Sequence, residues 1–131
     1  MRSASAANLP VRGAARTPIT PETLYAAMAD STRLRTLILL QHTGERCVCE
    51  LTTSLQVSQP KMSRHLAHLR DVGLVMARRE GRWMHYGLAP DLPAWAINII
   101  DCSARNLASE APFRNDLGRW QRQLAAIRRD C

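Results

Sequence analysis

Apolar positions along the chain recur with two different periods, and the switch between them outlines the fold. From Pro21 they follow helical spacing, with Leu24, Ala27 and Met28 on one face. Asp30 and Ser31 supply an N-cap for a second helix carrying Leu34, Leu37, Ile38 and Leu40, which should end near Gly44. A third, short helix is predicted from Cys47 or Val48 to Leu55. Ser58 caps a fourth, Pro60 is tolerated in its first turn, and Met62, Leu66, Leu69 and Val72 form its buried stripe before Gly73 stops it. The third and fourth helices, joined by Gln56 and Val57, make a helix-turn-helix.

After Gly73 the period falls to two. Leu74 to Arg79 and Trp83 to Leu88 read as strands around the turn Glu80-Gly81-Arg82, a basic hairpin that converts the helix-turn-helix into a winged helix. A long helix then starts near Asp91 or Pro93 and aligns Leu92, Trp95, Ile99 and Cys102. The last segment repeats Phe113, Leu117, Trp120, Leu124 and Ile127 at alternating steps of four and three, a short heptad seam that needs a partner surface. The expected fold is mainly α (α+β): a winged helix-turn-helix with a two-stranded wing and terminal dimerisation helices. Residues 1–19, rich in Ala, Ser, Arg and Pro and without periodicity, are expected to form a disordered arm. Residues 20–110 would be the DNA-binding and sensing domain, and 111–131 a C-terminal helix for dimerisation or packing.

A chain of 131 residues is one domain, and two apolar terminal helices on so small a core favour a homodimer. Eighteen Lys and Arg against eleven Asp and Glu leave a formal net charge of +7, which draws the protein to polyanions, nucleic acid first. No apolar run approaches the roughly 20 residues that span a bilayer. The basic start, Met1 to Thr17, lacks the continuous apolar stretch of a secretory signal. A cytoplasmic protein without membrane contact is expected. In that reducing compartment its four cysteines act as free thiols, ligands or redox sensors rather than as a disulfide framework.

A helix laid in the major groove must present donors and cations on the side away from Met62, Leu66 and Leu69. On the helical wheel that side carries Lys61, Arg64 and His68, flanked by Ser58, Gln59 and Ser63. Gln59 suits an adenine edge, and Lys61 and Arg64 suit guanine or phosphate. His65 points nearer the apolar stripe, where a half-buried histidine and a phosphate contact are both open readings. Arg78, Arg79 and Arg82 on the wing suit phosphate or minor-groove contacts. Two such units would span half-sites about 34 to 36 Å apart.

Cys47 and Cys49 precede the start of that fourth helix, Ser58-Gln59-Pro60-Lys61, by only a short stretch of chain, so a soft-ligand pair is built into the DNA-binding unit. Thiolates select thiophilic ions such as trivalent arsenic or antimony, Cd(II) or Zn(II), and they also oxidise, which suggests a chemical sensor that controls DNA occupancy. In a regular helix, side chains two positions apart diverge by about 160°. The two thiols are therefore expected to converge only if the first turn of the third helix unwinds, which would disturb the recognition helix it supports. The helix N-terminus and neighbouring Arg46 should favour the thiolate, with burial opposing them.

From about Leu24 to Ile100 the chain resembles the ArsR/SmtB family of winged-helix metalloregulatory repressors, in its arsenic-responsive branch. The resemblance is carried by Asp30-Ser31-Thr32-Arg33-Leu34, Cys47-Val48-Cys49-Glu50-Leu51, Ser58-Gln59-Pro60-Lys61-Met62-Ser63-Arg64-His65-Leu66 and Glu80-Gly81-Arg82-Trp83-Met84-His85-Tyr86. It implies a homodimer that binds double-stranded operator DNA and leaves it on binding As(III) or Sb(III), as arsenite or methylarsenite, with no permanent cofactor. It also raises a phosphate contact for His65. The branch often carries a further cysteine three residues after the second, where this chain has Thr52. Cys102 or Cys131, from either subunit, would then complete a three-sulfur site, whereas the pair alone suits an organoarsenical with two open valences.

The related zinc branch uses Asp and His on the long helix, which here has Asp101 but no His. The cadmium and lead branch adds cysteines before Cys47, and none occurs there. A thiol-based redox or persulfide-sensing repressor of the same fold is the main alternative, although a Cys47–Cys49 disulfide would close a strained small ring. An enzyme is not expected: there is no Cys-x-x-Cys beside a βαβ pattern and no phosphate-binding loop. A purely architectural DNA-binding protein would leave the paired thiols without a role.

Overall fold

The computed structural model describes residues 18–130. The expectations for an arm before Pro18, for the side chain of Ile127 and for Cys131 lie outside the described residues. Helix α1 (Pro21–Met28) starts where the Thr20 hydroxyl accepts from the Thr23 N–H at 3.2 Å, with Pro21 in the first turn, and it buries Leu24 and Ala27. Helix α2 (Ser31–Thr43) is capped by the Asp30 carboxylate, which accepts from the Arg33 N–H at 3.0 Å. It buries the continuous run Leu37 to Leu40 and stops at Gly44, whose φ of 82° a side chain would resist. So long a buried run marks α2 as the central helix, covered on several sides by the others.

After the two-residue strand β1 (Arg46–Cys47) come α3 (Val48–Leu55) and α4 (Gln59–Asp71). Gln56, with φ 55°, ends α3 in the left-handed region, and the Ser58 hydroxyl accepts from the Lys61 N–H at 3.4 Å to start α4. Met62, Leu66 and Leu69 are fully buried, while Val72 is half-buried at the C-terminal end. The wing is β2 (Val75–Glu80) and β3 (Trp83–Leu88), antiparallel around Gly81 with φ 62°. Helix α5 (Ala94–Leu107) and helix α6 (Phe113–Asp130) complete the chain. Leu24, Leu37, Leu51, Leu66, Leu74 and Ile100 are each 0% exposed, so every part of the described chain from α1 to α5 meets in one core.

Three features go beyond the sequence pattern. The sheet has a third strand: β1 pairs antiparallel with β3, giving the order β1-β3-β2 with Arg46 opposite Tyr86 and Cys47 opposite His85. Two residues carry no alternation to read, so only the pairing reveals them. Leu92 is buried as predicted, but along α5 the buried line is Ala96, Ile100 and Ala104, beside rather than along the predicted Trp95, Ile99 and Cys102. The small Ala96 and Ala104 let α5 approach α2 closely, which leaves Trp95 and Ile99 half-buried at its flank and Cys102 exposed.

The third feature is the use made of α6. Leu117 and Trp120 of its apolar seam pack against the core, and the helix lies on α2 and α3. The junction is fixed by Asp116, 2% exposed, which accepts from Arg35 at 2.7 and 2.8 Å and from Arg119 at 2.7 Å. The two guanidiniums also donate to backbone: Arg35 to the Leu55 carbonyl and Arg119 to the Ser54 carbonyl, each at 2.7 Å. Removing the carboxylate strands two partly buried cations. Asp116→Ala should therefore lower stability by about 3 to 5 kcal/mol, read as a shift of the urea midpoint at constant slope. A loss below about 1 kcal/mol would show that the cluster behaves like a surface ion pair.

Candidate nucleic-acid interface and thiol site

Burial of Met62, Leu66 and Leu69 turns the opposite side of α4 outward. Gln59, Lys61, Ser63, Arg64 and His68 are exposed there, and Ser58 is exposed at the cap that begins the helix. The predicted reading face is thus brought together on one surface. His65 sits apart from it, half-buried, with Nδ1 3.7 Å from the Asp30 carboxylate. Burial pushes its pKa down and Asp30 pulls it up, with burial the larger effect. This joins α4 to the cap of α2.

On the wing, Arg79 and Arg82 are exposed, and the Arg82 guanidinium lies over the Trp83 ring, 5.1 Å from its centre. Arg78 is differently placed: it bonds both carboxylate oxygens of Glu45 and lies 2.8 Å from Glu80. Arg78 therefore ties the wing to the segment before β1. Trp83 itself, 50% exposed, is a surface aromatic that sequence reasoning passed over, because its position in the strand pattern does not say which strand face is covered.

The thiol pair departs from the sequence expectation. Cys47 Sγ and Cys49 Sγ stand 2.8 Å apart with α3 intact. No unwinding is needed, because Cys47 is the N-cap rather than a helical residue. Its φ of −68° and ψ of 149° are extended, which swings its side chain over the first turn, where Sγ accepts from the Cys49 N–H at 3.4 Å. The 160° separation applies only when both residues have helical backbone. Glu50 closes the reciprocal half of the cap: its Oε1 accepts from the Cys47 N–H at 3.1 Å.

The expected bias towards thiolate is also reversed at Cys49. Although Cys49 is exposed, partial burial of its thiol first, then the hydrogen bond and charge of Cys47, then the charge of Glu50, push its pKa up to about 11. Arg46 offers little counterweight, since its guanidinium is 3.2 Å from Glu50 and stacks 5.3 Å from the centre of the Trp120 ring. Trp120 Nε1 donates to Glu50 Oε2 at 3.3 Å, so α6 reaches the pair.

Thr52, at the position where the resemblance would place a third cysteine, donates its hydroxyl to the Cys49 carbonyl at 2.9 Å. Cys102 lies exposed on α5, its sulfur 3.4 Å from Asn106 Nδ2. Among the described residues no group of three or more His, Cys, Asp or Glu side chains is gathered in metal-binding geometry, so Cys102 of the same protomer is not brought to Cys47 and Cys49. Two neighbours of the pair escaped sequence reasoning. Glu50 had a local signal, the three-residue capping-box spacing from Cys47. Trp120, 70 residues from Glu50 in the chain, had none.

A helix-turn-helix with an outward basic face and a basic wing defines a winged-helix DNA-binding protein. Residues 30–77 match the family described as bacterial regulatory protein, arsR family. The chain is 54% identical over 81 residues to the arsenical resistance operon repressor of Escherichia coli K12, covering 62% of this chain and 69% of that one. It is 49% identical over 110 residues to the arsenic resistance transcriptional regulator ArsR1 of Pseudomonas putida KT2440, covering 81% and 86%. Among solved structures, HlyU from Vibrio cholerae N16961 is similar with a TM-score of 0.60 and 34% identity, over 67% of this chain and 91% of that one.

The chain belongs to the ArsR family. It is a DNA-binding transcriptional repressor and not an enzyme, and none of its described helices is long and apolar enough to cross a membrane.

A raised thiol pKa leaves little thiolate near neutral pH, and the thiolate is the nucleophile. Alkylation of Cys49 by iodoacetamide, followed by peptide mass spectrometry, should therefore rise about tenfold per pH unit from about pH 7 to 9.5 without levelling, where an ordinary thiol of pKa about 8.5 turns over. A plateau below about pH 8.5 would mean that the thiolate is stabilised instead.

Proposed function

We propose that this protein is an arsenical-responsive repressor that acts as a cytoplasmic homodimer, holds operator DNA through α4 and the wing, and releases it when Cys47 and Cys49 bind trivalent arsenic or antimony. The observation that carries the reading is the 2.8 Å approach of the two sulfurs at the cap of the helix that precedes the recognition helix. The names of the relatives in Escherichia coli and Pseudomonas putida support arsenic as the stimulus. Trp95 and Ile99, half-buried on the flank of α5, support a dimer face.

The chemistry suits protonated thiols. A dihydroxy organoarsenical such as methylarsenite exchanges two As–O bonds for two As–S bonds, and each thiol proton leaves in a water molecule. No electrons are transferred. Inorganic arsenite takes a third sulfur from outside the pair, for which Cys102 is the described candidate, from the partner protomer. Bridging the sulfurs replaces the cap contact between Cys47 Sγ and the Cys49 N–H, and α3 passes the change to α4 across Gln56 and Val57. Reciprocity requires DNA to weaken inducer binding by the same factor, typically about 1 to 3 kcal/mol.

The same sulfur contact supports a second reading, a repressor switched by oxidation or persulfidation of the pair. Fluorescence anisotropy on promoter DNA separates the two, with reduced protein for the arsenicals and antimonite, and with the reductant removed before peroxide or polysulfide is added. Arsenite, methylarsenite or antimonite should release the wild-type protein but not Cys47→Ser or Cys49→Ser. Serine is itself a good N-cap, so Cys47→Ser preserves α3. Cys102→Ser should respond normally to methylarsenite and lose its response to arsenite. If no arsenical or antimonite releases the wild type while peroxide or polysulfide does, the redox reading replaces this one.

A further inference from the structure

We propose that α6 completes the thiol site, with Trp120 and Glu50 as positioning residues that hold Cys47 in the capping conformation where its sulfur meets that of Cys49. The proposal rests on the reading of this pair as the inducer site and adds to it a part of the chain that lies outside the helix-turn-helix.

Asp116, Arg119, Trp120 and Gln123 follow one another at helical steps of three, one and three, which places them on a single face of α6. All four reach α3 or its anchor. Asp116 holds Arg35, which bonds the Leu55 carbonyl; Arg119 bonds the Ser54 carbonyl; Gln123 accepts from the Ser54 hydroxyl at 3.4 Å; and Trp120 donates to Glu50. The face thus grips α3 at both ends. Its C-terminal contacts satisfy carbonyls that a helix end leaves without partners, next to the turn into α4.

At the thiol end the contacts form a chain. Trp120 Nε1 and Arg46 Nη1 both bond Glu50 Oε2, at 3.3 and 3.2 Å, which leaves Oε1 directed at the Cys47 N–H. The Trp120 ring also carries the Arg46 guanidinium. Loss of the indole donor frees the carboxylate on one side, and loss of the carboxylate frees the Cys47 backbone. Rotation of Cys47 out of the extended region would then return the pair to the divergent geometry of regular helix.

Three variants test this in full-length protein, with methylarsenite as the probe and no DNA present. Trp120→Phe keeps an aromatic ring and removes the donor, Glu50→Ala removes the acceptor, and Glu50→Gln keeps an acceptor for the Cys47 N–H while removing the charge. Methylarsenite affinity should fall about tenfold in Glu50→Ala and about threefold or more in Trp120→Phe, with Glu50→Gln recovering part of the loss. Urea midpoints identify a variant that has only lost its fold.

Glu50→Gln keeps the acceptor for the Cys47 N–H, so its partial recovery of affinity marks the positioning of Cys47, which a loss of fold alone would not produce. The proposal is overturned if Trp120→Phe and Glu50→Ala bind methylarsenite within about twofold of wild type, or if Glu50→Gln binds it no better than Glu50→Ala. If the affinity losses appear but methylarsenite does not release wild-type protein from DNA, the positioning role stands and the inducer reading fails.

Discussion

Helix α3 is eight residues long, and a helix of that length has too few internal hydrogen bonds to hold itself together in water. Its geometry therefore depends on what grips its two ends, and the rest of the molecule is arranged around that need. At the N-terminus the grip is a reciprocal cap built from Cys47 and Glu50, in which a sulfur takes the place usually held by a hydroxyl or carboxylate oxygen. At the C-terminus it is the pair Arg35 and Arg119, held over the Ser54 and Leu55 carbonyls by the buried Asp116. The group that stabilises the start of the helix is thus a thiol, and in the proposed function ligand binding and local helix stability share that one side chain.

Charge is distributed according to the same division. Of the basic side chains behind the net charge of +7, several are committed inside the fold: Arg35 and Arg119 to Asp116, Arg46 to Glu50, Arg78 to Glu45 and Glu80. Those on the outer side of α4 and the wing, Lys61, Arg64, Arg79 and Arg82, are exposed, and on α4 they share the outward side with Gln59 and His68, away from the buried stripe. A net positive charge steers the molecule to DNA, and this surviving exposed set is the docking face in the function proposed above. The committed arginines instead hold α6, α3 and the wing together.

The route between the two regions is short. Cys47 belongs at once to β1, paired with His85 of β3, and to the cap of α3. In the proposed function a change at its sulfur would meet the wing through the sheet, and α4 through α3 and the turn at Gln56. Leu51 and Leu55 of α3 and Leu66 of α4 are buried in the same core, and close-packed side chains transmit a displacement more readily than they absorb it.

The order of the helices, the turn at Gln56 and Val57, the wing and the exposed polar side of α4 were all legible in the sequence. Each depends on local period, a capping residue or a glycine, and these act over a few neighbouring positions. The presence of two cysteines just ahead of α4 was legible for the same reason. The geometry of that pair was not, because whether Cys47 caps the helix or lies inside it turns on one ψ angle, and β1 pairing with β3 helps to set it. Nor could local pattern show that the stripe of α5 would turn by one residue to let Ala96 and Ala104 meet α2, or that α6 would fold back on α3. Trp120 meets Glu50, and Arg35 meets Asp116, across 70 and 81 residues of chain. Partners so far apart leave no spacing to read, and only the packing of the whole core decides which of them come together.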